Sequence, residues 1–418
     1  MERPVTTAFR PNDGRLDVAG SVAEPGRADL TADRCRVEII IGMEGLCECR
    51  SVLAALARRS AEPNVFYEPL CLLPAVEAFG ADKESCFVLV LAPAPGEQAI
   101  GFFPFERKRK FRGLPVSHLV SWTHPHLYLS APLVDRNYGV AAWQALLAWA
   151  RRASHGALIE IPMIPGAGGA MQSLSEAMTG EPARLQIVNR FERALLERTA
   201  DDAETYMRRS SSTGARREWR RQARRLSELG RLETRAIRPC DDATDWAESF
   251  LALENSGWKF RQGTAMLQRP NEAAFFRALC ASAHREQRLH MLGLFLDDHP
   301  IAMQCNLFAH TGAFAIKVAY DERLAKYSPG TLLELENIRD MFGRDDFSWV
   351  DSCAKPEALL HRFWRERRLI QHVLIAPGGW TGQLLVRLFP HLQTARRRLH
   401  GPIRGDEKQS EKGAGDRS

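Results

Sequence analysis

The chain has 418 residues, 45 % of them hydrophobic and 26 % charged, with a formal charge of +6. That composition excludes a largely disordered or collagen-like chain, and the length provides for two domains with full cores. No apolar run reaches the roughly 18 residues of a membrane span, and the N-terminus, MERPVTTAFRPNDGRLD, lacks the layout of a secretion signal, so a cytoplasmic protein is expected.

In chain order, residues 1–33 are rich in Pro, Gly, Asp and Ala without periodicity and are read as a flexible N-terminus. A first unit follows over 34–198. RVEIIIG reads as a strand, GLCECRSVLAALARRS and EPLCLLPAVEAFG as helices, and FVLVLAPA with QAIGFFPFER as a hairpin. After a loop-rich stretch come the helix GVAAWQALLAWARRAS, the strand ALIEIPMIP, the helix GGAMQSLSEAMTG and the strand LQIVNRFERALLE.

Between the units, over 199–230, lies a predicted basic linker helix. Arg208 to Arg225 holds eight Arg and one Glu, a local +7 that leaves −1 for the rest of the chain. Arg216, Arg220 and Arg224 recur four apart, with Arg217, Arg221 and Arg225 beside them, which makes one broad guanidinium face. Such a face is either solvated or a contact for cofactor phosphates, an anionic membrane or nucleic acid. Nucleic acid is least favoured, because only Trp219 interleaves with the arginines.

The second unit, 231–378, begins with the strand LETRAIRP and two helices, ATDWAESFLALENSGWK and NEAAFFRALCASAHREQ. Three strands follow closely, LHMLGLFLDD, PIAMQCNLFAH and AFAIKVAYD, then the helix TLLELENIRDMF, the strand FSWVDSC, a helix over Pro356 to Arg367 and the strand LIQHVLIAP. The first unit repeats this order more loosely, so the chain reads as two copies of one α/β unit of ~150 residues. The tail, 379–418, alternates leucine and arginine around Pro390 in WTGQLLVRLFPHLQTARRRL, as a terminal helix packed on the domain or as a surface-lying membrane contact. Nine isolated cysteines without a CxxC pair, and histidines without HExxH, predict neither a disulfide framework nor a metal site; the pair His124 and His126 sits in a Pro-containing loop.

One junction stands out. Between Ala313 and Phe342 a strand pattern passes through Ser328-Pro329-Gly330 directly into a helix. A helix starting at a small-residue turn directs unpaired N–H groups and its dipole at an anion, and a phosphate is the usual occupant. Neither GxxxxGK[ST] nor GxGxxG is present, so a nucleoside triphosphate loop and a dinucleotide fingerprint are excluded. The plain alternative is turn chemistry before an N-cap at Thr331.

The segments FYEPLCLLPAVEAF, RREWRRQARRLSELG, LALENSGWKFRQGTA, RLHMLGLFLDDHPIAMQCNL and, above all, KVAYDERLAKYSPGTLL resemble the BioF2-like acetyltransferase domain of CelD/BcsL proteins. These are bacterial GNAT-type proteins associated with cellulose and other exopolysaccharides. The resemblance runs from about Asn64 to Pro377, and the duplication resembles the tandem of Fem-type aminoacyltransferases. It implies two GNAT-like domains in tandem, each a mixed, mostly antiparallel sheet flanked by helices. Residues Leu324 to Gly330 depart from the family-wide (Q/R)xxGxG/A loop in having one glycine.

The resemblance also distributes roles. Acetyl-CoA would lie along the backbone of Val318 and Ala319, with its pyrophosphate at Tyr327, Ser328, Pro329, Gly330 and Thr331. Glu254 is the first choice for a base, with Asp321 and Asp351 next, each with a plain alternative as a solvated carboxylate or a turn cap. Tyr320 and His361 are the candidate acids, since the helix at 356–367 has no tyrosine. Trp258, Lys259 and Lys317 would line the acceptor pocket; Lys317 is otherwise an edge-strand lysine. The first unit has only Asn137, Tyr138 and Gly139 before its corresponding helix, and is expected to shape the cleft. The expected activity is transfer of an acyl group, acetyl first, from CoA to an amine or hydroxyl of a saccharide or its precursor, without a metal. The expected partners are acyl-CoA, a small acceptor, and a peripheral contact with the inner membrane or a polysaccharide synthase. The alternatives are a Fem-like transferase using charged tRNA and a non-catalytic partner of such a synthase.

Overall fold

The computed structural model describes residues 34–389 except 81–83, 94–97, 153–156, 346 and 355–358. The first half runs β1 (Arg36–Ile40), α1 (Gly42–Glu48), α2 (Arg50–Arg59), α3 (Pro69–Phe79), β2 (Ser85–Leu91), β3 (Ala99–Lys108), β4 (His118–Ser121), β5 (Leu133–Val134), α4 (Gly139–Arg152), β6 (Leu158–Pro165), α5 (Gly169–Ala177) and β7 (Arg184–Glu197). Two helices bridge the halves, α6 (Ala203–Ser210) and α7 (Thr213–Ser227). The second half runs β8 (Leu232–Ala236), α8 (Ala243–Asn255), α9 (Trp258–Arg261), α10 (Pro270–Arg285), β9 (Leu289–Leu296), β10 (His299–Ala309), β11 (Gly312–Tyr320), α11 (Pro329–Phe342), β12 (Trp349–Asp351) and β13 (Glu366–Ala376). A last helix, α12, covers 380–389.

Local chemistry sets many of these boundaries. Asp202, Ser212 and Asp242 each cap a helix by accepting a backbone N–H with the side chain. The single basic helix expected over 199–230 is therefore two helices, because Ser212 caps α7 and starts a new one. Pro69, Pro270 and Pro329 occupy first-turn positions, where a missing N–H costs nothing. Asp297 and Asp298, both at positive φ, form the two-residue turn between β9 and β10. Where a helix was expected over 356–367, the described residues hold one 3-10 turn, Leu359–Arg362, and β13 begins at Glu366.

The strands form one sheet in the order β1-β2-β3-β4-β6-β13-β7-β12-β11-β10-β9-β8, with β5 on β3. Its only parallel pairs among the described strands are β4 with β6 and β11 with β12. Each encloses a helix in sequence, α4 and α11, so the two halves share one topology. Their last strands are exchanged. β13 of the second half lies beside β6 of the first, β7 of the first lies beside β12 of the second, and β7 and β13 pair along their whole lengths, from Arg184↔Ala376 to Leu195↔Glu366.

In the second half, one sheet face carries α8 and α10 over Met303, Cys305 and Phe314, and the other carries α6, α7 and α11 over Ala313, Ala315 and Val350. The first half packs on the α10 face, where Phe79 meets Phe275 at 5.3 Å and Phe66 meets Phe314 edge-on at 5.2 Å. Each such aromatic pair contributes about 0.5–1.5 kcal/mol beyond area burial. The two halves thus share a core on this face, and the cleft described next opens along it.

Candidate active site

The site starts from a gap in the sheet. β11 and β12 pair only from Gly312↔Trp349 to Phe314↔Asp351, so beyond Phe314 the β11 edge on that side has no ladder partner among the described residues. Val318 and Ala319 lie on this stretch, where the backbone can bond an extended ligand. A bulge sits inside it: Cys305 pairs with Lys317 and Asn306 with Ala315, leaving Ile316 extra. That shift turns Lys317 to the face of α8 and α10. Strict alternation from Phe314 would have sent it to the α11 face.

Four charged groups meet there. Glu254, at the end of α8 and buried, holds Lys259 Nζ at 2.5 Å with one oxygen and accepts the Met266 N–H at 2.9 Å with the other. Lys317 makes no ion pair among the described residues. Burial first, and Lys259 second, push its ammonium down to about 8, against the pull of Glu254 and Glu272. Glu272, in the first turn of α10, lies 3.0 Å from His126 Nε2 and 2.8 Å from Arg269. The His126 ring stacks on Phe275 with its centroid at 5.4 Å, and burial drives its pKa to about 2. His124, stacked on Phe79, is lowered to about 3 by the same cause. Tyr128 lies near these carboxylates; burial first, and the charges of Glu254 and Glu272 with it, keep its hydroxyl protonated.

The mouth is a cavity of about 220 Å³ lined by Glu254, Gly257, Trp258, Lys259, Val318 and Tyr320, among others. Glu322 pins its rim, accepting the Trp258 N–H at 2.6 Å and pairing with Arg261 at 2.6 Å. Trp258 and Tyr320 are exposed at this mouth. Tyr320 also borders the turn into α11: a Cβ on Gly330 would meet its ring at 3.4 Å. The turn differs from expectation in one respect. The cap residue is Ser328, left-handed at φ 52° and without a side-chain cap bond, while Thr331 lies inside the first turn and donates to the Ser328 carbonyl at 2.9 Å. Proline favours the first helical position, so Pro329 sets the start two residues earlier than Thr331 would. Tyr327, just before the turn, is buried under Lys326 Nζ at 4.9 Å.

Other expected positions lie elsewhere. Asp321 caps the following 3-10 turn and pairs with Arg323, whose hydrogen bonds hold its carboxyl below the usual range. Asp351 does not face the cleft; it is buried at the closed end of the gap, 3.2 Å from Arg368 and 3.7 Å from Arg193, and caps the Cys353 N–H. A carboxylate that must balance two arginines, one of them only 3 % exposed, is a counter-ion in a buried network that also includes Glu62. His361 sits in the 3-10 turn Leu359–Arg362, its carbonyl accepting from Arg367. Glu272, His126, Tyr128, Arg193 and Cys353 were not singled out from the sequence for this chemistry. His126 carried a signal, a histidine in a Pro-containing loop, but nothing local points to α10, about 150 residues away.

The gap between β11 and β12, the turn into α11 and the buried Glu254–Lys259 pair thus lie together in the second half. Residues 213–363 match the family model described as acetyltransferase (GNAT) domain, so the chain carries such a domain and is an acyltransferase. The crystal structure of FemX aligns over 81 % of this chain and 98 % of its own, at 10 % identity and a TM-score of 0.54, a likeness of fold. A conserved protein of unknown function from Bacteroides thetaiotaomicron aligns over 82 % of this chain and 100 % of its own (12 %, TM-score 0.48). A tandem GNAT protein from the clavulanic acid biosynthesis pathway aligns over the same shares (14 %, TM-score 0.37). No curated protein matches the sequence. Among the described residues no group of His, Cys, Asp and Glu is placed to hold a metal ion, and no helix is long and apolar enough to cross a membrane.

Proposed function

We propose that the protein transfers an acyl group, acetyl first, from CoA to an amine or hydroxyl of a saccharide or saccharide precursor, as the BioF2-like resemblance implies. One observation carries the reading: Glu254 and Lys259 open into the same cavity as Tyr320, and the Tyr320 ring lies where a side chain on Gly330, at the start of α11, would meet it. A donor bound along β11 with its pyrophosphate at Ser328–Thr331 would bring its thioester to the gap beside Lys317. Glu254 takes the proton from the acceptor, with Lys259 steadying the carboxylate. Lys317, held near neutrality, is matched to return a proton to the leaving thiolate. Exposed Trp258 and Tyr320 at the mouth offer stacking faces to an acceptor ring. On this reading 34–198 and 231–378 are the two units and 199–230 joins them.

A second reading has its own observation. Arg217, Arg220, Arg224 and Arg225 on α7 make no ion pair among the described residues, and a run of free guanidinium groups suits a polyphosphate carrier such as charged tRNA. Calorimetry separates the readings. Saturable acetyl-CoA binding, lost in Gly330→Trp, supports the first; salt-sensitive tRNA binding, lost on neutralising the α7 arginines, supports the second; neither would leave a non-catalytic partner.

A further inference from the structure

Helix α12 has two faces of opposite character. Val386 and Phe389 on its inner face are buried with Phe111, Leu158, Leu374 and Ala376, which docks the helix over the adjacent strands β6 and β13. Trp380, Leu384 and Leu388 recur four apart on the outer face, with 77, 45 and 42 % of their surface exposed. Three large apolar side chains in one exposed row, on a helix already anchored by its other face, mark a surface that meets something.

The charge around Phe389 says what. The Phe389 ring packs 6.0 Å from Phe111 and 5.8 Å from the Arg112 guanidinium carbon, so α12 ends against the β3–β4 connection. Residues 107–112, the end of β3 and the start of that connection, read RKRKFR, five cations in six residues. Among the described residues Lys108 pairs with Glu106, Arg109 with Glu84, and Arg112 with Glu160 at 3.6 Å, while Arg387 of α12 adds an exposed cation.

We propose that this corner of the molecule binds the surface of an anionic bilayer. Trp380 seats at headgroup depth, Leu384 and Leu388 enter the acyl boundary beside it, and the cations of 107–112 meet lipid phosphates. A second copy of the chain fits poorly, since a twofold contact through this corner would bring basic surfaces of like sign together. Three side chains also supply far less than the ~800 Å² per partner of a stable protein interface.

The test is co-sedimentation of the full chain with vesicles of phosphatidylcholine alone or with about 30 % phosphatidylglycerol. The expected result is partition at least about tenfold stronger onto the anionic vesicles, abolished by high salt. The variant W380S/L384S/L388S, altered only at exposed positions, loses about tenfold or more while its melting temperature is unchanged. K108Q/R109Q/K110Q weakens binding by about fivefold per charge. The proposal is overturned by absence of binding to anionic vesicles, by equal binding of the apolar-row variant, or by a dimer in light scattering that this variant dissolves.

Discussion

At the scale of single residues, burial determines which groups can carry chemistry. Glu254 and Lys317 sit in one cleft, but Glu254 is held by a lysine and a backbone N–H, whereas Lys317 has no ion pair among the described residues and is pushed down to about 8. Glu254→Gln should lower kcat by about 10²–10³ and leave acetyl-CoA affinity within about twofold, since the general base acts only in the chemical step. If Lys317 donates a proton, it must be charged, so kcat/KM should fall as pH rises above about 8. Loss of that alkaline limb in Lys317→Met is the expected result, and its persistence would remove Lys317 from the mechanism. The histidines set the acid side of stability. His124 stays neutral in the fold down to about 3, while the unfolded chain takes up a proton near 6.5. Its contribution is therefore present above 6.5 and is lost as pH falls toward 3. In His124→Phe, which keeps the stack on Phe79, urea midpoints measured between pH 7 and 4 should fall less steeply than in the wild type.

At the scale of elements, α11 joins the anion-ready turn to a buried polar chain. Glu334, one turn into the helix, accepts Trp364 Nε1–H at 2.7 Å and Asn337 Nδ2–H at 3.3 Å on the same oxygen. Burial pushes its carboxyl up to about 7, opposed by those two bonds. A carboxyl raised in the fold adds stability that is complete below the unfolded value near 4.5 and is lost as pH rises through about 7. Glu334→Gln keeps both acceptor bonds and removes the titration. The variant should be more stable than the wild type at pH 8, by about 1–3 kcal/mol, and no more stable at pH 5, as read from paired denaturant melts. Much of this element was legible in advance: the apolar spacing of TLLELENIRDMF and the Ser-Pro-Gly junction announced the helix and its start within two residues. The bulge at Ile316 was not legible, because a one-residue shift in pairing leaves no mark on a strand pattern, yet it decides that Lys317 enters the cleft.

At the scale of the molecule, the exchange of β7 and β13 makes the two halves one folding unit. Neither half completes its own sheet, since β12 needs β7 and β6 needs β13. A protease site inserted at Ala200–Asp201, in the connection after β7, should give two fragments that co-elute in gel filtration and retain the melting transition of the intact chain. Fragments that separate without denaturant would show the exchange to be dispensable. The same seam builds the buried network of Arg193, Arg368, Asp351 and Glu62, drawn from both halves.

The sequence by itself determined the element order, the internal duplication, the Ser-Pro-Gly entry into α11 and Glu254 near Trp258, because these follow from periodicity, turn chemistry and motifs within some tens of residues. The tertiary structure alone decided that the two sheets fuse into one, that Asp351 is a counter-ion, that His126 packs against Glu272 and Phe275, and that Phe111 and Arg112 pack on Phe389. Each of those outcomes joins residues more than a hundred positions apart or turns on a strand's register, and such contacts are set by which surfaces pack, which local sequence does not record.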